Sequence, residues 1–80
     1  MIDLSKYQAL VLDEVARCGG YGCSDSLLVS VFGVRPTATL RSLKGCGLIE
    51  LKFRGRSIRW VAAKFYRTRY FVEPVQGALV

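Results

Sequence analysis

Between Ser5 and Cys18 the apolar positions Tyr7, Leu10, Val11, Val15 and Cys18 recur at three- and four-residue spacing, while Lys6, Asp13 and Arg17 fall on the other side. That period places one apolar stripe on a helix, with the charges toward water. Ser5-Lys6-Tyr7-Gln8 supplies its start as a capping box, in which the serine oxygen accepts from the third helical amide and Gln8 reaches back to the serine amide. Gly19-Gly20 ends it, because glycine adopts the left-handed backbone that closes a helix at little steric cost.

Tyr21-Gly22-Cys23 is long enough only for a connector or a one-bridge strand. Ser24 is a good N-cap and Asp25 adds negative charge where a helix dipole favours it, so a second helix is predicted over about 24–32 with Leu27, Leu28, Val31 and Phe32 as its apolar face. It stops at Gly33. Pro36, preorganised for a first helical turn, opens a third helix that runs to Lys44 or Gly45.

After Gly45-Cys46-Gly47 the period changes to two. Ile49, Leu51 and Phe53 alternate with Glu50, Lys52 and Arg54, and Ile58, Trp60 and Ala62 alternate with Ser57, Arg59 and Val61. Two such runs joined by a short glycine-containing loop predict a β-hairpin whose apolar side chains hold it against the helices. Residues 64–73 are rich in β-formers, yet Tyr66 and Tyr70 are also one helical turn apart; an extended segment is the preferred reading. Pro74 stops either element. The uncharged tail beyond it reads either as frayed or as an arm that docks on another chain, a homodimer contact. One domain is expected over residues 1–80, with its core at about 5–63 and a C-terminal extension over 64–80.

Composition changes this picture chiefly through charge. Residues 1–34 carry Lys6 and Arg17 against Asp3, Asp13, Glu14 and Asp25, a net of −2, whereas residues 35–80 carry ten cations against Glu50 and Glu73, a net of +8. Sign segregated along a chain in this way is the electrostatic footprint of a polyanion binder, where a solubility charge would be more evenly spread.

The remaining chemistry is sparse. Cys18, Cys23 and Cys46 are odd in number, no secretory signal opens the chain, and there is no histidine. A reducing cytoplasm, small buried thiols, and no metal or cofactor are therefore expected. No run of roughly 18 apolar residues is present, so no membrane span is expected. Without histidine a serine or cysteine nucleophile lacks its commonest base, and the chain is not expected to be an enzyme. The one catalytic alternative is Tyr66 or Tyr70 as a nucleophile among arginines in phosphoryl transfer.

On the wheel of the third helix, Pro36, Leu40, Leu43 and Gly47 lie on one side and Ala38, Arg41, Ser42 and Gly45 opposite, with Arg35 and Thr37 near the amino end. An outer face that is small and basic can approach base edges: arginine pairs bidentately with guanine, hydroxyls donate or accept, and alanine meets a thymine methyl. The bland alternative is an ordinary solvated helix face.

Two helices joined by Gly33-Val34-Arg35 and followed at once by "GLIELKFRGRSIRW" resemble the winged helix-turn-helix family of DNA-binding domains. The resemblance covers residues 5 to 63 and rests on the order of elements. It implies an α+β fold, a small winged helix-turn-helix of three helices followed by a β-hairpin wing, here with a C-terminal extended segment. It further implies a third helix in the major groove, with Arg35, Thr37, Ala38, Arg41, Ser42 and Lys44 as its contacts, and a wing of Lys52, Arg54, Gly55, Arg56 and Arg59 whose tip, Arg54 to Arg56, lies along phosphates or reaches the neighbouring minor groove. Lys64, Arg67 and Arg69 either extend that surface or protect an edge strand from aggregation. This chain has only Tyr21-Gly22-Cys23 where many members place a longer strand, so a sheet reduced to two strands is expected.

The expected function is then sequence-specific binding of double-stranded DNA, as a small, cytoplasmic, nucleoid-associated transcriptional regulator of a size suited to a phage or mobile element. The alternative is a winged domain used as an interaction module on a protein or structured RNA. The expectation joining helix and wing is spatial: one continuous cationic surface formed by the outer side of residues 35–45 and the tip at 54–56.

Overall fold

The computed structural model describes residues 2–72. Within them the chain runs β1 (Ile2–Leu4), α1 (Lys6–Arg17), α2 (Asp25–Phe32), α3 (Thr37–Gly45), β2 (Ile49–Arg54), β3 (Ser57–Ala62) and β4 (Tyr70–Val72), with single 3₁₀ turns at Gly19–Tyr21 and Tyr66–Thr68. This is a small α+β arrangement of three helices and a β-hairpin.

Local chemistry sets the helix starts. Ser5 Oγ accepts from the Gln8 amide at 3.2 Å while Gln8 Oε1 accepts from the Ser5 amide at 2.9 Å, the reciprocal pair that satisfies two free donors at the head of α1. Ser24 Oγ accepts from the Leu27 amide and caps α2. Pro36, itself buried, is the capping residue of α3, and its carbonyl accepts from Leu40.

The core is made by Leu4, Val11, Leu12, Val15, Cys23, Leu28, Leu40, Leu43, Leu48, Ile49 and Trp60. Each large aliphatic side chain removed from water there contributes about 1.5–3 kcal/mol. The face α1 buries is Ala9, Val11, Leu12 and Val15. It is rotated from the expected stripe toward Leu12, because α1 packs on α3 and β3, which leaves Tyr7 and Leu10 exposed. In α2 only Leu28 of the expected face is fully buried: Phe32 is half-buried against the Tyr7 ring, and Leu27 and Val31 are exposed.

β2 and β3 pair antiparallel from Ile49↔Ala62 to Arg54↔Ser57, so Gly55 and Arg56 form a two-residue turn. Gly55 takes a φ of 59° and Arg56 stays at negative φ, the pattern of a type II′ turn, whose twist suits a hairpin. Only the foot of the hairpin meets the helices. Phe53 and Ile58, expected to hold it down, are 73% and 52% exposed, because the helices reach no further along the ribbon than Leu51 and Trp60.

A single bridge, Cys23↔Trp60, extends this pair, with Cys23 donating to the Trp60 carbonyl at 2.7 Å and accepting from its amide at 2.9 Å. Gly22 leads into that bridge at a φ of 91°, and a Cβ on it would stand 2.7 Å from the Arg59 Cβ. No other residue fits there.

β1 and β4 form a separate parallel pair with Ile2 beside Tyr70 and Leu4 beside Val72. The expected extended segment over 64–73 is thus only partly extended: a left-handed Phe65 and one 3₁₀ turn redirect the chain before β4 forms. The expected docking arm beyond Pro74 lies outside the described residues. Within the described residues no helix is long and apolar enough to cross a membrane.

Candidate nucleic-acid interface

α3 is nine residues long and contains no acid. At about 100° per residue, its exposed arc runs from Lys44 and Thr37 on the hairpin side, through Arg41 and Gly45, to Ala38 and Ser42 on the α1 side. All six are exposed, while Leu40 and Leu43 anchor the opposite side in the core. Arg41 therefore stands near the middle of the free face.

Between this arc and the hairpin lies a groove of about 240 Å³, bordered by Arg35, Thr37, Arg41 and Lys44 on one wall and Leu51 and Trp60 on the other. Its cations are not evenly free. Arg35 Nε lies 3.2 Å from Asp25 Oδ2, and the other oxygen of the same carboxylate accepts from Trp60 Nε1 at 3.0 Å. Asp25 thus ties the end of β3 to the start of α2 and holds Arg35 at the rim. Ser42 is turned to the other side of α3, where its Oγ accepts from Gln8 Nε2 at 3.3 Å.

The strand residues expected as wing contacts do not join that arc. In a strand, successive side chains leave opposite faces. The register puts Leu51, Phe53, Ile58 and Trp60 on the groove side and Lys52, Arg54 and Arg59 on the far side, with Lys52 directly opposite Arg59. There the Arg54 and Arg59 guanidinium carbons lie 5.0 and 4.7 Å from the centroid of the Tyr21 ring, and Arg54 also donates to the Gly20 carbonyl at 3.5 Å. The expectation of one continuous cationic surface is corrected accordingly: α3 and the strand cations Lys52, Arg54 and Arg59 face different directions, while Gly55 and Arg56 form the exposed turn at the tip. The alternation that dictates this was present in the sequence, where Lys52 and Arg54 are out of phase with Leu51 and Phe53.

The cations of the C-terminal segment are held locally. Lys64 Nζ sits 5.4 Å from the centroid of the Phe65 ring, Arg67 Nε donates to the Tyr66 hydroxyl at 3.1 Å, and Arg69 donates to the Gly47 carbonyl at 3.4 Å, just beyond α3. The rings of Tyr66 and Tyr70 stack nearly parallel at 6.4 Å.

Two organising residues had no functional signal in the sequence. Asp25 reads there only as a helix-dipole charge, and Tyr21 only as part of a connector. Their roles come from partners 35 residues away for Trp60 and, for Tyr21, from the hairpin arginines, a separation no local pattern encodes.

Burial pushes the Cys23 thiol up to about 12, and the neighbouring Cys18 adds to the rise. It is a protonated core side chain at neutral pH. Cys46, by contrast, is exposed just beyond α3. Among the described residues no group of three or more histidine, cysteine or acidic side chains is placed to hold a metal ion.

The chain matches no family model, and neither a curated protein nor a solved structure is significantly similar to it.

Proposed function

We propose that the chain is a winged helix-turn-helix protein that binds double-stranded DNA sequence-specifically, as a small transcriptional regulator, with α3 entering the major groove. The observation that carries this reading is the exposed, acid-free arc of α3 with Arg41 at its centre and Thr37 and Lys44 beside it. A helix of nine residues spans about 14 Å, long enough to cross a major groove about 12 Å wide. Arg41 supplies the bidentate donor for guanine, Thr37 and Ala38 the small contacts near the amino end, and Lys44 and Arg35 reach backbone phosphates on the hairpin side. Asp25, at the rim of this face, is paired with Arg35 and hydrogen-bonded to Trp60, which reduces its repulsion of an incoming phosphate. Arg56, exposed at the hairpin turn, is our candidate for a wing contact with the neighbouring backbone.

The test is an electrophoretic shift against random-sequence duplex, single-stranded DNA and RNA over a range of salt concentrations, followed by selection of preferred duplexes. Preference for duplex, a steep salt dependence and a selected consensus are expected. Failure to retain duplex at low salt would remove the reading.

One observation favours a second reading, an interaction module. Phe53 and Ile58 are paired across the hairpin and exposed on the groove side, an apolar spot beside a cationic helix. An acidic protein segment with an apolar stripe would satisfy both. Under that reading duplex is not retained, and the Phe53 and Ile58 side chains control capture of the partner.

A further inference from the structure

The far side of the hairpin gathers cations for which the α3 reading has no use. Lys52 and Arg59 lie directly opposite one another, and Arg54 follows two residues along the same face, about 7 Å further on. At the foot of this face, Lys52 and Lys64 line a cavity of about 450 Å³ with Gly19, Gly20, Phe65 and one acid, Glu50. Like charges directly opposed across a strand pair are unfavourable. Here the fold holds them together, and among the described residues none of the four is in an ion pair. Glu50 is the only acid on that face of β2 and β3. The Tyr21 ring, 64% exposed, is what fixes Arg54 and Arg59, through its electron-rich face.

The juxtaposition of Lys52, Arg54 and Arg59 around Tyr21, on the side of the hairpin opposite α3, leads us to propose a second nucleic-acid site that takes the phosphate backbone of another stretch of duplex. One molecule would then hold two stretches together. The bridging part rests on the α3 reading above; the second site does not.

Phosphate backbone fits this face better than the other anionic partners. Its long cations, spaced along a shallow ribbon, match a strand that offers a phosphate about every 3.4 Å of helix axis. Its arginines are held over the Tyr21 ring on a shallow ribbon, with no helix to carry them to base edges, so phosphate contacts independent of sequence are expected there. A bilayer surface would use a contiguous apolar face beside the cations, but the exposed apolar pair Phe53 and Ile58 leaves the opposite face of the ribbon, and of the aromatics on this one Tyr21 is engaged by Arg54 and Arg59 and Phe65 by Lys64.

The experiment counts duplexes per chain. A 12-base-pair duplex is titrated into the protein at low salt and the complexes are weighed by native mass spectrometry, while energy transfer between two differently labelled duplexes reports bridging. Complexes of one chain with two duplexes, and transfer that rises with protein, are expected. The Lys52→Gln, Arg54→Gln, Arg59→Gln triple variant should give one duplex per chain, no transfer, and a log–log salt slope shallower by about two to three. Arg41→Ala with Lys44→Ala should also abolish bridging yet keep one duplex per chain. Thermal melting establishes that each variant is folded.

The two proposals fail in different ways. Wild-type complexes of one duplex per chain, with binding unchanged in the triple variant, overturn the second site and leave α3 intact. Full loss of binding in the triple variant with none in the α3 variant overturns the α3 reading and leaves the second site standing. Transfer seen only in complexes containing two or more chains overturns single-chain bridging, as would capture of anionic vesicles in preference to duplex.

Discussion

Trp60 Nε1 donates to Asp25 Oδ1 at 3.0 Å, and through that bond the end of the hairpin that is buried in the core is fastened to the first turn of α2. The same carboxylate faces Arg35 Nε, so one acid both satisfies a buried indole and positions a cation at the rim of the α3 groove. Asp25→Ala should therefore act in two directions. Loss of the Trp60 acceptor and of a negative charge at the head of α2 should destabilise the fold by about 1–3 kcal/mol. Removal of the acid and release of Arg35 should tighten duplex binding and steepen its salt dependence. Thermal melts and salt titrations of the same sample would separate the two effects, and weaker duplex binding by a folded variant would contradict the second.

Gly22 and Gly20 offer a controlled pair. A Cβ at Gly22 would meet the Arg59 Cβ at 2.7 Å and the Val61 Cγ1 at 3.2 Å, on a backbone at φ 91°. At Gly20 nothing lies within 4 Å and the backbone is ordinary. Gly22→Ala should cost about 2–3 kcal/mol by combining strain with a clash against backbone-proximal atoms. Gly20→Ala should change stability by no more than about 0.5 kcal/mol. Equal denaturation midpoints for the two variants would show that the Cys23–Trp60 bridge does not depend on the close approach at Gly22.

What the sequence made legible divides along physical lines. Contacts within four residues were readable: the Ser5–Gln8 box and the Ser24 cap lie where spacing placed them, and the hairpin strands carry the expected alternation. The β1–β4 pair was not, because strands of three residues carry no period and their partners are 68 residues apart at Ile2 and Tyr70. Helical and strand periods fix which side chains share a face, but not which face another element covers. That is why period alone puts Tyr7 and Leu10 on the buried side of α1, and Phe53 and Ile58 on the buried face of the hairpin, whereas all four are exposed. The site divides in the same way. The arc of α3 follows from its own period, whereas the separation of Arg54 and Arg59 from that arc depends on where Tyr21 and the helices sit around the ribbon.

Phe53 and Ile58 give that distinction a measurable form. Since both are largely exposed, Phe53→Ser and Ile58→Thr should each shift stability by about 0.5 kcal/mol or less, although both lie at positions that alternate with the core. Leu48→Ala, one residue before β2 and fully buried, should cost about 2–5 kcal/mol. Urea titrations of the three variants would order them, and a loss above about 2 kcal/mol at Phe53 would mean that the hairpin tip is covered in solution.

The Cys23 thiol links stability to alkaline pH. Its folded-state value is raised from 9.0 to about 12, so the native state keeps the proton more tightly than the unfolded chain does. Its contribution is fully present below pH 9 and is lost as pH rises toward 12, because the unfolded state then gains by releasing the proton. Across that window stability should fall by up to about 1.4 kcal/mol per pH unit from this group. Burial likewise raises Tyr70, which adds to the slope at high pH. Cys23→Ala should remove one proton's worth of the dependence between pH 9 and 12 at some cost in packing. At neutral pH the exposed Cys46 should react with a thiol reagent first, and Cys23 only at the rate of unfolding. Denaturation midpoints against pH, compared for wild type and Cys23→Ala, check the sign and the size together.

Arg41 and Arg54 provide the sharpest functional contrast, because both are exposed arginines in the basic part of the chain yet face opposite ways. Arg41 stands at the centre of the α3 arc, where a guanidinium can meet a guanine edge with two hydrogen bonds. Arg41→Ala should cost about 1–3 kcal/mol on the preferred duplex and relax discrimination at one base pair. Arg54, packed over Tyr21 on the far side of the hairpin, has no path to those base edges. Arg54→Ala should leave the selected sequence unchanged and reduce the salt slope by about one. Selection experiments on both variants, with affinities measured at two salt concentrations, test this directly. An altered consensus for Arg54→Ala would place the hairpin cations against the bases and require a different docking of α3.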